Sequence, residues 1–257
     1  MSKVQDTVAS RSDRDPKFKA VYEAERRSLQ KMILDPTKQK IGFTSDLHAE
    51  HANVIIYSRR PFADVVEMNE ALRDRHNEMF DDDSIIFNLG DALLVPRIKG
   101  TKRTDPEILQ RADDLLGTFK GKIFYIPGNH EHQLDLIQKH WTVLPQLSEV
   151  TIKDKDAPRG KQLIVMCHYA MRTWSKAHHR SWHIYGHSHG GLKNDHGNEM
   201  RDYPFSLSMD VGVDSNDFRP YLYEDIKLHI ATKTFRAIDH HSSRMVIGRE
   251  VEDLSKY

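Results

Sequence analysis

The sequence predicts an α/β fold with mixed sheet content, on three observations. Five short apolar or β-rich runs each hand the chain to a turn built from Gly, Asp, Asn or His. Helical patterns lie between the earlier runs, and alternation of that kind produces parallel strand pairs. Residues 148–167 break the rhythm: they read as two strands around a polar turn at Lys155–Gly160, which pair antiparallel.

Taken in order, residues 1–38 are polar and place Phe18, Val21, Leu29, Met32 and Leu34 at loosely helical spacing. A peripheral helix is expected there, ended by Pro36, which cannot continue one. The runs at 40–48, 84–91, 122–130, 162–168 and 182–189 are the five strands with their turns. Residues 63–80 and 105–119 are the helices, the second opening with Asp105 as cap and Pro106 in the first turn, where its missing N–H costs nothing. FSLSMDVGVD at 205–214 reads as a further strand. The division expected is a helical extension over 1–38, one globular domain over 39–231 and a weakly patterned tail over 232–257.

A chain of 257 residues suits one large domain with a substantial core. Its 38 Lys and Arg balance 38 Asp and Glu, which excludes a polycation that binds nucleic acid or membrane by charge alone. Cys167 has no partner for a disulfide, so a reducing compartment, the cytoplasm, is expected. That cysteine ends the apolar run Leu163–Cys167 and reads as a small core hydrophobe. No apolar stretch is long enough for a signal peptide or a bilayer span, so no membrane association is expected. Sixteen His are the compositional anomaly.

In open α/β sheets functional side chains gather where strands end. The five runs end in Asp46 and His48, in Asp91, in Asn129 and His130, in His168, and in His187 and His189. The spacing of two in Asp46-Leu47-His48 and His187-Ser188-His189 aims both side chains of a pair to one side of an extended backbone. With His130 set aside, two carboxylates, one amide and four imidazoles exceed what one tetrahedral zinc uses. They suit two adjacent ions bridged by a carboxylate. Mixed nitrogen and oxygen donors favour manganese, iron, cobalt, nickel or zinc over calcium or magnesium. Two divalent ions outweigh the charge of Asp46 and Asp91, so the site should attract an anion such as phosphate.

Asp46-Leu47-His48, Gly90-Asp91, Gly128-Asn129-His130-Glu131, Cys167-His168 and Gly186-His187-Ser188-His189 resemble, in order, the five motifs of the calcineurin-like metallophosphoesterase superfamily. The resemblance covers about residues 40–215; residues 43–62 and the MDVGVD at 209–214 are similar to a small bacterial and bacteriophage branch. It implies a four-layer α/β/β/α sandwich with two mixed sheets, the domain at 39–231 being the catalytic one. It also implies two divalent ions, manganese foremost, with iron, zinc, nickel, cobalt or magnesium as alternatives. Asp46, His48, Asp91 and His189 would bind one ion, and Asp91, Asn129, His168 and His187 the other, with Asp91 bridging. His130 would stay unligated beside the scissile phosphate and protonate the leaving oxygen after attack by a metal-bridging hydroxide. Many members carry an Asp three residues after the bridging one to orient that His; here the position is Leu94.

The expected activity is hydrolysis of a phosphate ester, a nucleotide or a short nucleic-acid phosphomonoester or diester. Arg59 and Arg60, Arg97, Lys99, Lys102 and Arg103, and Arg172, Lys176 and Arg180 form basic loops after ligand-bearing strands, without acidic residues among them. They suggest a collar for an anion larger than phosphate, with Arg60, Arg97, Lys99, Arg103 and Arg172 as substrate contacts. Trp174 and Tyr57, in the same loops, are candidates to stack a base, with packing of the loop itself as the simpler alternative. The alternatives are a non-catalytic scaffold that keeps the fold and a nuclease acting on single strands. His51, His132, His178, His179, His183 and His196 lie near ligands and read as supporting or solvated residues. Asp210 and Asp214 follow the complete ligand set and read as turn or supporting residues.

Overall fold

A computed structural model describes residues 33–101, 103–130, 132–192 and 206–235. The expected helix before residue 33 and most of the tail lie outside these residues.

In chain order the strands are β1 (Ile33–Leu34), β2 (Ile41–Thr44), β3 (Ile85–Asn88), β4 (Lys122–Tyr125), β5 (Thr142–Val143), β6 (Leu147–Lys153), β7 (Lys161–Cys167), β8 (Trp182–Tyr185), β9 (Ser208–Asp210) and β10 (Tyr221–Leu222). The α-helices are α1 (Ala52–Tyr57), α2 (Val65–Met79), α3 (Pro106–Leu116), α4 (Leu134–His140) and α5 (Tyr223–Ala231). The first sheet runs β10-β2-β3-β4-β5 and the second β1-β6-β7-β8-β9. Each is mixed: β10 is antiparallel to β2 and β6 to β7, and the other pairs are parallel.

The expected α/β class with two mixed sheets is therefore what the chain adopts. All five runs that end in candidate ligands contain strands, and the hairpin closes with Lys153 opposite Lys161. Both expected helices form, and each begins where an aspartate takes up free backbone N–H groups. Asp64 accepts from Val66 and Glu67, and Asp105 accepts from Glu107 with Pro106 following it.

Two cores hold the layers together. The inner faces of the sheets meet through Phe43, Phe87, Ile152, Ile164, Met166 and Ile184, joined by Tyr223 and Ile226 of α5. On the other face of the first sheet, Ile86, Ile123 and Tyr125 pack against Met68 and Leu72 of α2, Leu116 of α3 and Ile137 of α4. Helices thus cover one outer face of a sheet pair.

Three differences from the sequence reading have local causes. Leu34 is not the end of a helix: Ile33 and Leu34 pair with Thr151 and Ile152, and Leu34 is buried in the inter-sheet core, so the sheet begins before residue 39. Helices α1, α4 and α5 were not expected, being only six, seven and nine residues long. Such lengths show too few turns for a helical period. Cys167 is half-buried on the outward side of β7, opposite in sense to Ile164 and Met166, rather than in the core.

Candidate metal centre

The ends of β2, β3 and β4 in one sheet and of β7, β8 and β9 in the other converge on one edge of the sandwich. Past its strand, the first motif keeps running beside the second: Asp46 donates its N–H to the Gly90 carbonyl, His48 to Asp91 and Ala49 to Ala92. Ser45 bridges to Gly212, and Val213 donates back to the Ser45 carbonyl. From the second sheet, the His187 N–H donates to Asp46 Oδ2 at 2.9 Å, and His168 Nδ1 lies 2.7 Å from the Leu89 carbonyl. Backbone bonds join the first two motifs and the segment after β9, and bonds between a side chain and the backbone bring in those of His168 and His187.

The approach is close enough to require glycine. A Cβ at Gly186 would lie 1.9 Å from Ser45 Oγ and 2.6 Å from Asp46 Oδ2, and one at Gly128 would lie 2.2 Å from Asp91 Oδ1. The candidate ligand residues themselves carry backbone strain. Asp46, His48, Asp91, His187 and His189 all have positive φ, between 48° and 68°. Left-handed conformations cost non-glycine residues on the order of 1 kcal/mol or more and gather at functional sites.

Two groups of side chains result, Asp46 with His48 and His189, and Asp91 with His168 and His187, each able to hold a metal ion. Every one of these residues was expected as a ligand. In the first group His48 Nε2 and His189 Nε2 each lie 3.9 Å from Asp46 Oδ1. His48 Nε2 also lies 3.8 Å from Asp91 Oδ2, so Asp91 stands between the groups. In the second, His168 Nε2 is 3.4 Å from Asp91 Oδ2 and 3.0 Å from Asn129 Oδ1. Asn129, also expected as a ligand, thus adjoins the second group. Asp91 Oδ1 accepts the N–H groups of Asn129 and His130, each at 3.0 Å, which leaves Oδ2 facing the histidines.

The donor set fits a divalent cation on two counts. Asp46 Oδ1 and His48 Nε2 are buried with no hydrogen-bond partner among the described residues. Leaving such atoms unpaired costs about 1–3 kcal/mol each. A neutral His168 that gives its Nδ1–H to Leu89 turns the lone pair of Nε2 toward two oxygens, an opposition that a cation between them resolves.

The electrostatics carry the same imprint. Burial pushes the Asp46 carboxyl up to about 6, against the pull of His189 and His168. Burial, and then the charge of His189, pushes His48 down to about 3. Asp91 is held below the usual carboxylate range: burial works against this, and the hydrogen bond and charge of His168 and the His130 N–H outweigh it.

His130 is half-buried at the rim, its ring 5.5 Å from that of His48 and 6.3 Å from that of His51. No group among the described residues hydrogen-bonds its imidazole. His51, whose Nδ1 is buried with no hydrogen-bond partner among the described residues, adjoins both rings. Tyr169, which the sequence reading missed, sits edge-on to His168 and His187 and is exposed. Its only signal was adjacency to a ligand. His183 is buried away from the groups and holds the 169–171 loop: its Nε2 accepts from Met171 N–H.

The expected substrate contacts divide. Arg97, Lys99, Arg103 and Arg172 are exposed. Arg60 is not available to a substrate: it is 4% exposed, with its donors taken by Asp214 and the carbonyls of Asp46 and Leu47. Trp174 is committed to its own loop, its indole N–H donating to Ser181 and its ring packed on His183. Tyr57 is exposed beside His51. Asp214 accepts from His189 Nδ1 at 2.6 Å, and Asp210 accepts the N–H groups of Gly190 and Gly212, so both support the turns and ligands around them. No described helix is long and apolar enough to cross a membrane.

No family model matches the chain. Over 93 residues, 36% of its length, it is 39% identical to an uncharacterised protein of Methanocaldococcus jannaschii, of whose length the match spans about half, 47%. A solved protein of unknown function from Aquifex aeolicus superposes with a TM-score of 0.51 at 17% identity, over 74% of this chain and 99% of that one. That likeness extends to the fold.

Proposed function

We propose that this protein is a phosphoester hydrolase of the calcineurin-like superfamily, dependent on two divalent ions, manganese foremost, and built on the four-layer sandwich of that superfamily. The observation that carries the reading is the pair of ligand groups meeting at Asp91, with ligand atoms left unpartnered in one of them. The ions, when bound, supply charge that screens phosphate oxygens and lowers the pKa of water. The chain supplies the rest. Asp46, His48 and His189 would hold one ion, Asn129, His168 and His187 the other, and Asp91 both. The Asn129 and His130 N–H groups fix the orientation of the Asp91 carboxylate. His130, whose imidazole has no hydrogen bond among the described residues, delivers a proton to the departing alkoxide oxygen. Arg97, Lys99, Arg103 and Arg172 draw in an anion larger than phosphate, and exposed Tyr57 and Tyr169 offer faces for a base. The substrate class is accordingly a nucleotide or a short nucleic-acid phosphate.

A hydrolysis panel with Mn2+ tests this, spanning nucleoside monophosphates, cyclic nucleotides, dinucleotides and bis-aryl phosphate. Turnover of at least one nucleotide ester, abolished by a chelator and restored by Mn2+, is expected. Protein that holds its metal and hydrolyses none of them would overturn the reading.

A further inference from the structure

Arg60 follows helix α1, and Asp214 lies in the 3-10 turn Val213–Ser215 after β9. Arg60 Nε and Nη2 meet the two carboxylate oxygens of Asp214, both at 2.8 Å. Nη2 also donates to the Asp46 carbonyl at 2.7 Å, and Nη1 to the Leu47 carbonyl at 2.8 Å. Asp214 Oδ2 in turn takes the Nδ1–H of His189 at 2.6 Å.

We propose that Arg60 and Asp214 act as one positioning unit for the group Asp46, His48 and His189, and so set how tightly that group holds a divalent cation. Asp214 fixes the tautomer and the ring plane of His189, so that Nε2 presents its lone pair toward Asp46. Arg60 grips the two carbonyls between Asp46 and His48, the residues held at φ 59° and 52°. All three ligands of the group are therefore tied to one guanidinium. Neither partner meets the solvent side of the site: the Arg60 side chain is fully buried and that of Asp214 is 7% exposed. A buried ion pair is a weak source of stability, which leaves positioning as its use here. Among the described residues the second group has no such device, since His168 Nδ1 leans on a backbone carbonyl.

The proposal rests on the metal-binding half of the proposed function and is tested without substrate. Mn2+ binding is measured by calorimetry on the full chain for wild type, Asp214→Asn, Arg60→Lys and the double variant. Melting of each metal-free protein checks folding. Wild type should take up two ions. Each single variant should weaken one of the two by about 10–100-fold and leave the other tight. The double variant should lose little more than the worse single, because the pair acts as a unit. A general loosening of the fold would instead weaken both ions together, and that outcome would overturn the proposal, as would wild-type affinity in both single variants. Should Arg60→Lys fail to fold, the near-isosteric Asp214→Asn decides alone. Wild-type protein that binds no Mn2+ overturns the proposed function and the positioning role with it.

Discussion

On the proposed function, His130 is the residue on which the chemistry of the leaving group turns. Its backbone is anchored to Asp91, while its imidazole projects at the rim beside His48 and His51. Where many members of the superfamily that the motifs resemble carry an orienting Asp, this chain has Leu94, whose backbone N–H instead extends the pairing with Ala49. If the ring serves as a proton donor, His130→Ala should lower kcat by about 10²–10⁴-fold on an alkyl phosphate ester. The loss should be much smaller on a 4-nitrophenyl ester, whose leaving oxygen needs no proton. Equal losses on both would assign the ring to charge stabilisation instead. At this scale the residues of the two candidate groups were legible because they carry local marks: a spacing of two at Asp46 and His48, a glycine before Asp91 and His187. Arg60 was misread because its decisive partner, Asp214, lies 154 positions away, and nothing near Arg60 in sequence marks a buried pair. Trp174 was misread for a different reason: an indole that packs a loop and one that stacks a base have the same local composition.

Helix α2 shows how an element outside the site makes stability depend on pH. His76, in its last turn, is buried between Phe80 and Phe119 and bonds the Lys120 carbonyl through Nε2. Burial pushes its pKa down to about 4, and the same cause puts His183, beneath the 169–171 loop, at about 4. Both are neutral in the fold and titrate near 6.5 when unfolded. Their contribution is whole above pH 6.5 and is lost as pH falls toward 4, by as much as about 3 kcal/mol for His76. Asp46, raised to about 6, acts in the opposite sense, its contribution falling as pH rises from about 4 to about 6. His76→Gln, which keeps a donor for Lys120, should therefore flatten the acid side of a denaturant-midpoint profile relative to wild type. An unchanged slope between pH 6.5 and 4 would show that His76 is charged in the fold. Elements of this length were readable because their caps and apolar stripes repeat over several turns, as Asp64 and Met68, Leu72 and His76 do in α2. Ile33–Leu34 and α1 were not, because two to six residues carry no period, and what decides their state is the sheet edge or the motif loop they dock against.

Over the whole molecule, two sheets are pressed face to face so that strand ends from both reach one edge, and the centre is a seam between them. His187 bonding Asp46, and His168 bonding the Leu89 carbonyl, cross that seam. An ion held by ligands from both sheets should clamp the sandwich as well as serve chemistry. Mn2+ at 100 times its dissociation constant should add about 2.7 kcal/mol and raise the melting midpoint by roughly 5–10 °C, reversed by chelation. No shift would mean that the seam closes without metal. The neutral net charge likewise resolves into a distribution, with exposed Arg97, Lys99, Arg103 and Arg172 on loops after β3 and β7. The central claim is that both ligand groups work through Asp91. Its most direct test is the rate of 4-nitrophenyl phosphate hydrolysis by Mn2+-supplemented wild type and Asp91→Asn, with circular dichroism to confirm that the variant is folded. The expected result is turnover by wild type and a rate at the buffer background for the variant; undiminished turnover in folded Asp91→Asn would contradict the account.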